Sequence, residues 1–248
     1  MGDLLLRRPR SNQSEPADPP PEFDYEIRRS DRARNVRINV SHEGVVVVLP
    51  RRAAEREAHQ FVGERRRWIE RALEKMAAEA DTVAARTLAD ATTVPYLGGE
   101  LTLRLIPGSG ERVSWARAAG ELRVRSADLS RAHTAELLER WYRRRAREEI
   151  ARRLDQVVKR NGTSYKRLAI RDQRTRWGSC STSGTISFNW RLLLAPEDVL
   201  DYVVEHEAAH IEVRDHSARF WALLDERTPG WKLQRDWLRT HGGTLRLV

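Results

Sequence analysis

His206, Glu207 and His210 read H-E-A-A-H within the run DYVVEHEAAHIEVRDH. Two histidines four residues apart stand one above the other on a helix, so both imidazoles can reach one metal ion, and the glutamate between them can sit beside a water on that ion. This is the chemistry of a zinc-dependent hydrolase. The competing reading is a pair of satisfied core histidines.

A catalytic zinc takes three protein ligands and keeps a fourth position open. His216 is the best third candidate, six residues after His210 and beyond Arg214 and Asp215, where the chain can leave the helix and return a side chain to the metal. Glu212, Asp215 and Glu226 are carboxylate alternatives, and His216 can instead be a surface neighbour of a helix cap at Asp215 or Ser217. The same histidine spacing occurs in metzincins, but that class has glycine where this chain has Val213, together with a later Met-turn. The two methionines here, Met1 and Met76, both lie upstream.

The element that must position these groups is LAPEDVLDYVVEHEAAHI, expected as one helix, with Pro196 in its first turn and Glu197 and Asp198 at the positive end of its dipole. Val199, Val203, His206 and His210 share one stripe; Leu200, Val204, Ala208 and Ile211 form an apolar stripe beside it. The histidines therefore point inward. Two inward histidines with an acid between them are costly without a partner, and a bound cation supplies one.

Upstream, YEIRRS, NVRINV and VVVVLP read as strands with a turn at Ser41 to Gly44, and a helix is expected from Ala53 to Ala78. TVPYLGGELTLRLIPG reads as a strand pair turning at Gly98 and Gly99, and GELRVRS as another strand. A long helix follows, His133 to Lys159, with Leu137, Trp141, Ile150, Leu154 and Val157 inward and Arg140, Arg143, Arg144, Arg147 and Arg153 on a side read as solvated, because Glu139, Glu148 and Glu149 break its field, with a phosphate track as the alternative. LAIRD and TISFNW are short strands before the metal helix. TISFNW is the candidate to hold an extended peptide by main-chain hydrogen bonds, with a fully buried strand as the equally simple alternative. ARFWALLDE and GWKLQRDWLRTHG read as closing helices, with Phe220, Trp221, Trp231 and Trp237 assigned to packing.

The organisation expected is a Pro-rich disordered tail over residues 1–22, a β-rich region with one long helix over 23–128, and a catalytic domain over 129–248. The lone Cys180 excludes an intrachain disulfide, and MGDLLLRRPR has too short an apolar run for a signal-peptide core. A cytoplasmic protein without a membrane partner is the expectation. The net charge of +9 comes almost entirely from arginine. It fits either a solvated surface or an anionic partner such as a nucleotide or nucleic acid.

The stretch from RTRWGSCSTSGTISFNW through VVEHEAAHIEVRDHSARFWALLDERTPGW resembles the YgjP-like metal-dependent hydrolases, related to SprT-like and WLM zinc metallopeptidase domains. The resemblance continues more weakly upstream through YEIRRSDRARNVRINV and FVGERRRWIERAL. It implies an α+β fold with a compact gluzincin-like core, zinc held by His206, His210 and His216, and Glu207 as the catalytic glutamate. Ala208 departs from a bulkier leucine common in the family. Arg176, in R-W-G-S-C, can stabilise an oxyanion or a phosphate oxygen, and Asn189 can hydrogen-bond a substrate; both can equally be scaffold.

The function expected is a zinc metallopeptidase acting on a peptide or protein. Two rivals remain at this point: a metal-dependent nucleotide phosphoanhydride hydrolase, and a non-catalytic zinc-stabilised module associated with DNA.

Overall fold

The computed structural model describes residues 23–41, 44–173 and 175–248. The tail over 1–22 and the tip of the expected first hairpin, His42 and Glu43, lie outside the described residues. Among those described, the fold is mixed α+β, with five α-helices and three small sheets.

The first compact unit ends at Ala78. Its strands Tyr25–Ser30 (β1), Arg37–Ser41 (β2) and Gly44–Pro50 (β3) are ordered β1-β3-β2, with β1 parallel and β2 antiparallel to β3. The central position of β3 explains the nearly unbroken apolar run GVVVVLP. Val45, Val47 and Leu49 pack with Ala58, Val62 and Ile69 from Glu55–Ala84 (α1). This helix runs past the expected end at Ala78 because AAEADTVA contains no breaker.

The second unit, Glu79–Val248, opens with Thr93–Tyr96 (β4), Gly99–Pro107 (β5), Arg112–Ala116 (β6) and Glu121–Ser126 (β7). Their order is β4-β5-β7-β6, with β5 and β7 parallel. The β4–β5 turn is centred on Leu97 and Gly98, whose φ values of 49° and 82° give the backbone hand that a two-residue hairpin needs. Strand β6, RVSWA, shows no clean alternation and was not expected; Trp115 packs it against the core.

Helix Arg131–Arg160 (α2) is capped by Ser130, whose hydroxyl accepts from the His133 N–H. Leu137, Trp141, Ile150, Leu154 and Val157 are buried, as the periodicity requires. Arg153 departs from the expected solvated face. It is 5% exposed and donates to Asp201 at 2.8 Å, to Glu149 at 2.5 Å and to Glu197. Three carboxylates compensate its desolvation, which periodicity within α2 alone does not reveal.

Arg167–Arg171 (β8), Gly178–Cys180 (β9) and Thr185–Asn189 (β10) form the third sheet, ordered β8-β10-β9. This corrects the peptide-holding assignment of TISFNW. Strand β10 is central, parallel to β8 and antiparallel to β9, so both its edges are already paired. Helices Glu197–Ala209 (α3), Ala218–Arg227 (α4) and Lys232–His241 (α5) complete the unit. By contacts the chain divides between residues 78 and 79, within α1, whereas its composition changes near 128; the β4–β7 sheet packs with α2 in one core. No helix among the described residues is long and apolar enough to cross a membrane.

Arg153→Met should lower stability by about 1–2 kcal/mol, since it removes the ion pairs of a buried guanidinium while Glu149 keeps Arg145 and Arg152 as partners and the more exposed Glu197 and Asp201 contribute less. Denaturant unfolding compared with Arg140→Met, an exposed ion-pair control, checks this; equal midpoints for the two variants would refute it.

Candidate metal centre

Helix α3 carries His206 and Glu207 in its last turn, and His210 is the residue at its C-terminal cap. The chain then turns through Ile211 and Val213, with N–H groups donating to the Ala208 and Ala209 carbonyls, and brings His216 back beside the helix. The three imidazoles converge, their ligand-capable nitrogens all within 4.8 Å of one another. Glu212, Asp215 and Glu226 do not join this cluster.

Nε2 of His206 and Nε2 of His216 are 3.1 Å apart. Two nitrogens each about 2.0–2.1 Å from a tetrahedral zinc would lie about 3.3–3.4 Å apart, so the spacing fits a shared ion. Nδ1 of His210 is 3.0 Å from the Val213 carbonyl. A carbonyl only accepts, so Nδ1 carries the proton and Nε2 keeps the lone pair a metal requires. Burial first, then the neighbouring His210 and His216, pushes His206 down to about 3, and burial lowers His210 as well. Near neutral pH these two rings are uncharged, the state in which imidazole binds metals.

The floor of the cluster is aromatic. Phe220, fully buried, stacks on His210 with centroids 4.4 Å apart and lies 4.9 Å from His206 and 4.8 Å from His216. Trp221 lies 5.3 Å from His216 and stacks on Trp231, which stacks in turn on Tyr202. These rings restrict the imidazole orientations. The sequence reading assigned Phe220, Trp221 and Trp231 to packing without linking them to the site.

Glu207 is 6% exposed and its Oε2 has no hydrogen-bond partner among the described residues. Burial raises its carboxyl to about 8, against an opposing pull from Arg176. The space it occupies exists because residue 178 is glycine. A Cβ built on Gly178 would lie 2.5 Å from Glu207 Cγ and 2.7 Å from its Cδ, closer than packed atoms approach. Strand β9 and helix α3 thus meet through a bare Cα and a carboxyl group. This explains one residue of R-W-G-S-C that the sequence left without a role.

A cleft of about 570 Å³ opens over these groups. Its lining includes Thr175 to Cys180, Tyr202, Val203, the three histidines, Glu207, Arg214, Arg235 and Arg239. Arg176 is therefore brought to the site. Asn189 is not: it is 2% exposed, its amide donates to the Gln173 carbonyl and its Oδ1 accepts from the Arg191 N–H, so it serves the scaffold. Cys180 is half-buried on the cleft wall, and burial pushes its thiol up, away from the thiolate that would bind a metal.

A family model described as YgjP-like, metallopeptidase domain, matches residues 34–241. The chain belongs to this family. Among solved structures it is similar to the metallopeptidase zymogen of Pyrococcus abyssi abylysin, at 25% identity over 37% of this chain and 92% of that one, with a TM-score of 0.34. The curated proteins contain no match. Family membership identifies this YgjP-like chain as a metal-dependent peptidase in general terms, and its histidine cluster is a group that can hold the metal.

Gly178→Ala should displace the Glu207 carboxyl and cut peptidase turnover at least about tenfold, because displacements of about 1 Å beside a reacting centre carry such costs. Ser179→Ala, which introduces no new atom, is the control. A Gly178→Ala crystal structure with Glu207 unmoved and turnover intact would rule the contact out as a constraint.

Proposed function

We propose that this YgjP-like protein is a zinc peptidase in which His206, His210 and His216 hold the ion and Glu207 is the general base. The observation that carries this reading is the convergence of three imidazoles beside a buried, unpartnered carboxyl group in one cleft. Zinc supplies Lewis acidity when bound, polarising the scissile carbonyl and acidifying a neighbouring water.

The rest of the chemistry belongs to the chain's own residues. Glu207 takes the proton of the attacking water and delivers it to the leaving amine nitrogen. Its Oε2 is free to do so. The Val213 carbonyl holds the His210 ring in one tautomer, and the Phe220 floor keeps the three rings from turning away.

Strand β9 supplies a means of holding the peptide. Asn189 N–H donates to the Trp177 carbonyl and Ser181 N–H to the Thr185 carbonyl, with Ser179 opposite Ser187 between them. In an antiparallel pair the intervening residues direct their main-chain groups the other way. Gly178 and Cys180 therefore turn their N–H and C=O groups towards the unpaired edge, where an extended peptide can add as a strand.

Elemental analysis of the purified chain should find about one zinc per molecule, and each single His→Ala change at 206, 210 and 216 should weaken or abolish retention. Glu207→Gln should keep the zinc and lose peptide cleavage by about a hundredfold or more. Full cleavage by Glu207→Gln, or wild-type zinc content in His216→Ala, would each remove the corresponding assignment.

A further inference from the structure

The cleft around the candidate metal centre has a one-sided charge. Its lining contains four arginines, Arg176, Arg214, Arg235 and Arg239, and a single carboxylate, Glu207. Two of the four have partners on α5. Arg235 pairs with Asp236 at 3.0 Å and lies over the Trp231 ring, and Arg239 is 3.8 Å from the same Asp236.

The other two differ. Among the described residues neither Arg176 nor Arg214 forms an ion pair with a carboxylate, although both side chains line the cleft. Arg214 is held in place by neutral groups: its Nη1 donates to the Ser181 carbonyl at 2.9 Å and lies 3.7 Å from the Cys180 sulfur. Arginines without a carboxylate in ion-pair distance also occur elsewhere among the described residues of this unit, Arg147 and Arg219 for example, whereas Arg140 pairs with Glu111 and Arg143 with Glu139 and Asp172; what sets Arg176 and Arg214 apart is that they line the cleft. A guanidinium positioned at a cleft without a carboxylate is a receptor for an anion.

The two unpaired cations also have a definite relation to the peptide-holding edge. Arg176 lies two residues before Gly178, and Arg214 is anchored on Ser181, the residue after Cys180. They therefore stand at opposite ends of β9. From Arg176 to Ser181 is a span of roughly 17 Å in extended chain, or about five substrate residues.

We propose that the cleft selects peptides with acidic side chains within about three residues of the scissile bond, received by Arg176 on one side and Arg214 on the other. The inference rests on the peptidase reading above and names the substrate class of the same site. Specificity arises because an acidic side chain gains a bidentate partner at either end of β9, whereas a basic one meets four like charges. The partly exposed setting limits each arginine to a contribution of roughly three- to tenfold, and added salt weakens it.

The test uses the zinc-loaded full chain and three matched, internally quenched peptides carrying Glu, Gln or Lys at the flanking positions. Gln has the shape of Glu without its charge, so the Glu-to-Gln ratio of kcat/KM reads charge recognition alone. The ratio should be about ten or more, should shrink with rising ionic strength, and should fall towards one in the Arg176→Gln, Arg214→Gln double variant. Each single variant should act on acids on one side of the bond only, and Arg214→Lys should retain part of the preference. Equal cleavage of the Glu and Gln peptides, or a ratio untouched by the double variant, would overturn the proposal and leave the peptidase reading standing. Cleavage of none of the three by the metal-loaded chain would overturn both. Nucleoside triphosphate turnover lost in the same variants, with a Glu-to-Gln ratio of one, would assign the arginines to phosphate and overturn it too.

Discussion

The buried carboxyl of Glu207 against the bare Cα of Gly178 is the contact on which the site's arrangement depends. A carboxyl group removed from water without a hydrogen-bond partner is costly, and a packed core would expel it or pair it. Here it is retained at the seam between α3 and β9, facing the same cleft as three imidazoles. The spacing of strand and helix cannot widen without opening a void, and cannot admit a side chain at 178 without moving the carboxyl. One glycine therefore fixes how closely β9 approaches the Glu207 carboxyl.

Holding a helix whose inner face carries such groups requires strong attachment elsewhere, and α3 obtains it from its opposite stripe. Glu197, Asp201 and Glu205 recur every four residues and so share a face. Arg153 binds the first two, and Arg160 and Asn161 bind Glu205, which is 4% exposed. Arg153 and Arg160 are two turns apart on α2, so the two helices are joined by charge over most of the length of α3. Buried ion pairs are a weak source of net stability, because desolvation offsets most of the attraction. What they give is register: an apolar interface tolerates sliding, whereas matched charges four residues apart do not. The histidines keep their height relative to β9 because α3 cannot shift along α2.

Much of this was legible in the sequence where a residue's role depends on its own neighbours in the chain. The HEAAH spacing, the helix that carries it and the apolar stripes are local patterns, and the elements they imply are present. The return of His216 to the cluster was anticipated as one of several options because a six-residue span permits it. What the sequence left unread depends on partners far along the chain. Gly178 meets Glu207 across 29 positions, and the acidic stripe of α3 has meaning only beside α2. Strand β9 is three residues of Gly, Ser and Cys, too short and too polar for alternation to register, so the sequence does not show that TISFNW is flanked on that side. Arg153 was misplaced for the same reason: an arginine's spacing on its own helix does not show the three acids that allow it to be buried.

The charge of the chain shows how composition and structure differ in what they decide. A net +9 dominated by arginine is compatible with a merely solvated surface, and along α2 that is close to what is found, since Arg140, Arg143 and Arg145 each have a carboxylate within ion-pair distance. Paired charges largely cancel beyond a Debye length of about 8–10 Å. The excess must then appear where pairing stops, and the cleft over the histidines is one such place: of its four guanidinium groups two share Asp236, and Arg176 and Arg214 have no ion-pair partner among the described residues. Field lines from those groups converge in a concave, partly desolvated space, where each charge acts at longer range than it would on an open helix face. Total charge is therefore a poor guide to partner, whereas the position of particular arginines is informative: Arg176 and Arg214 stand at the two ends of β9, the edge strand whose Gly178 meets Glu207.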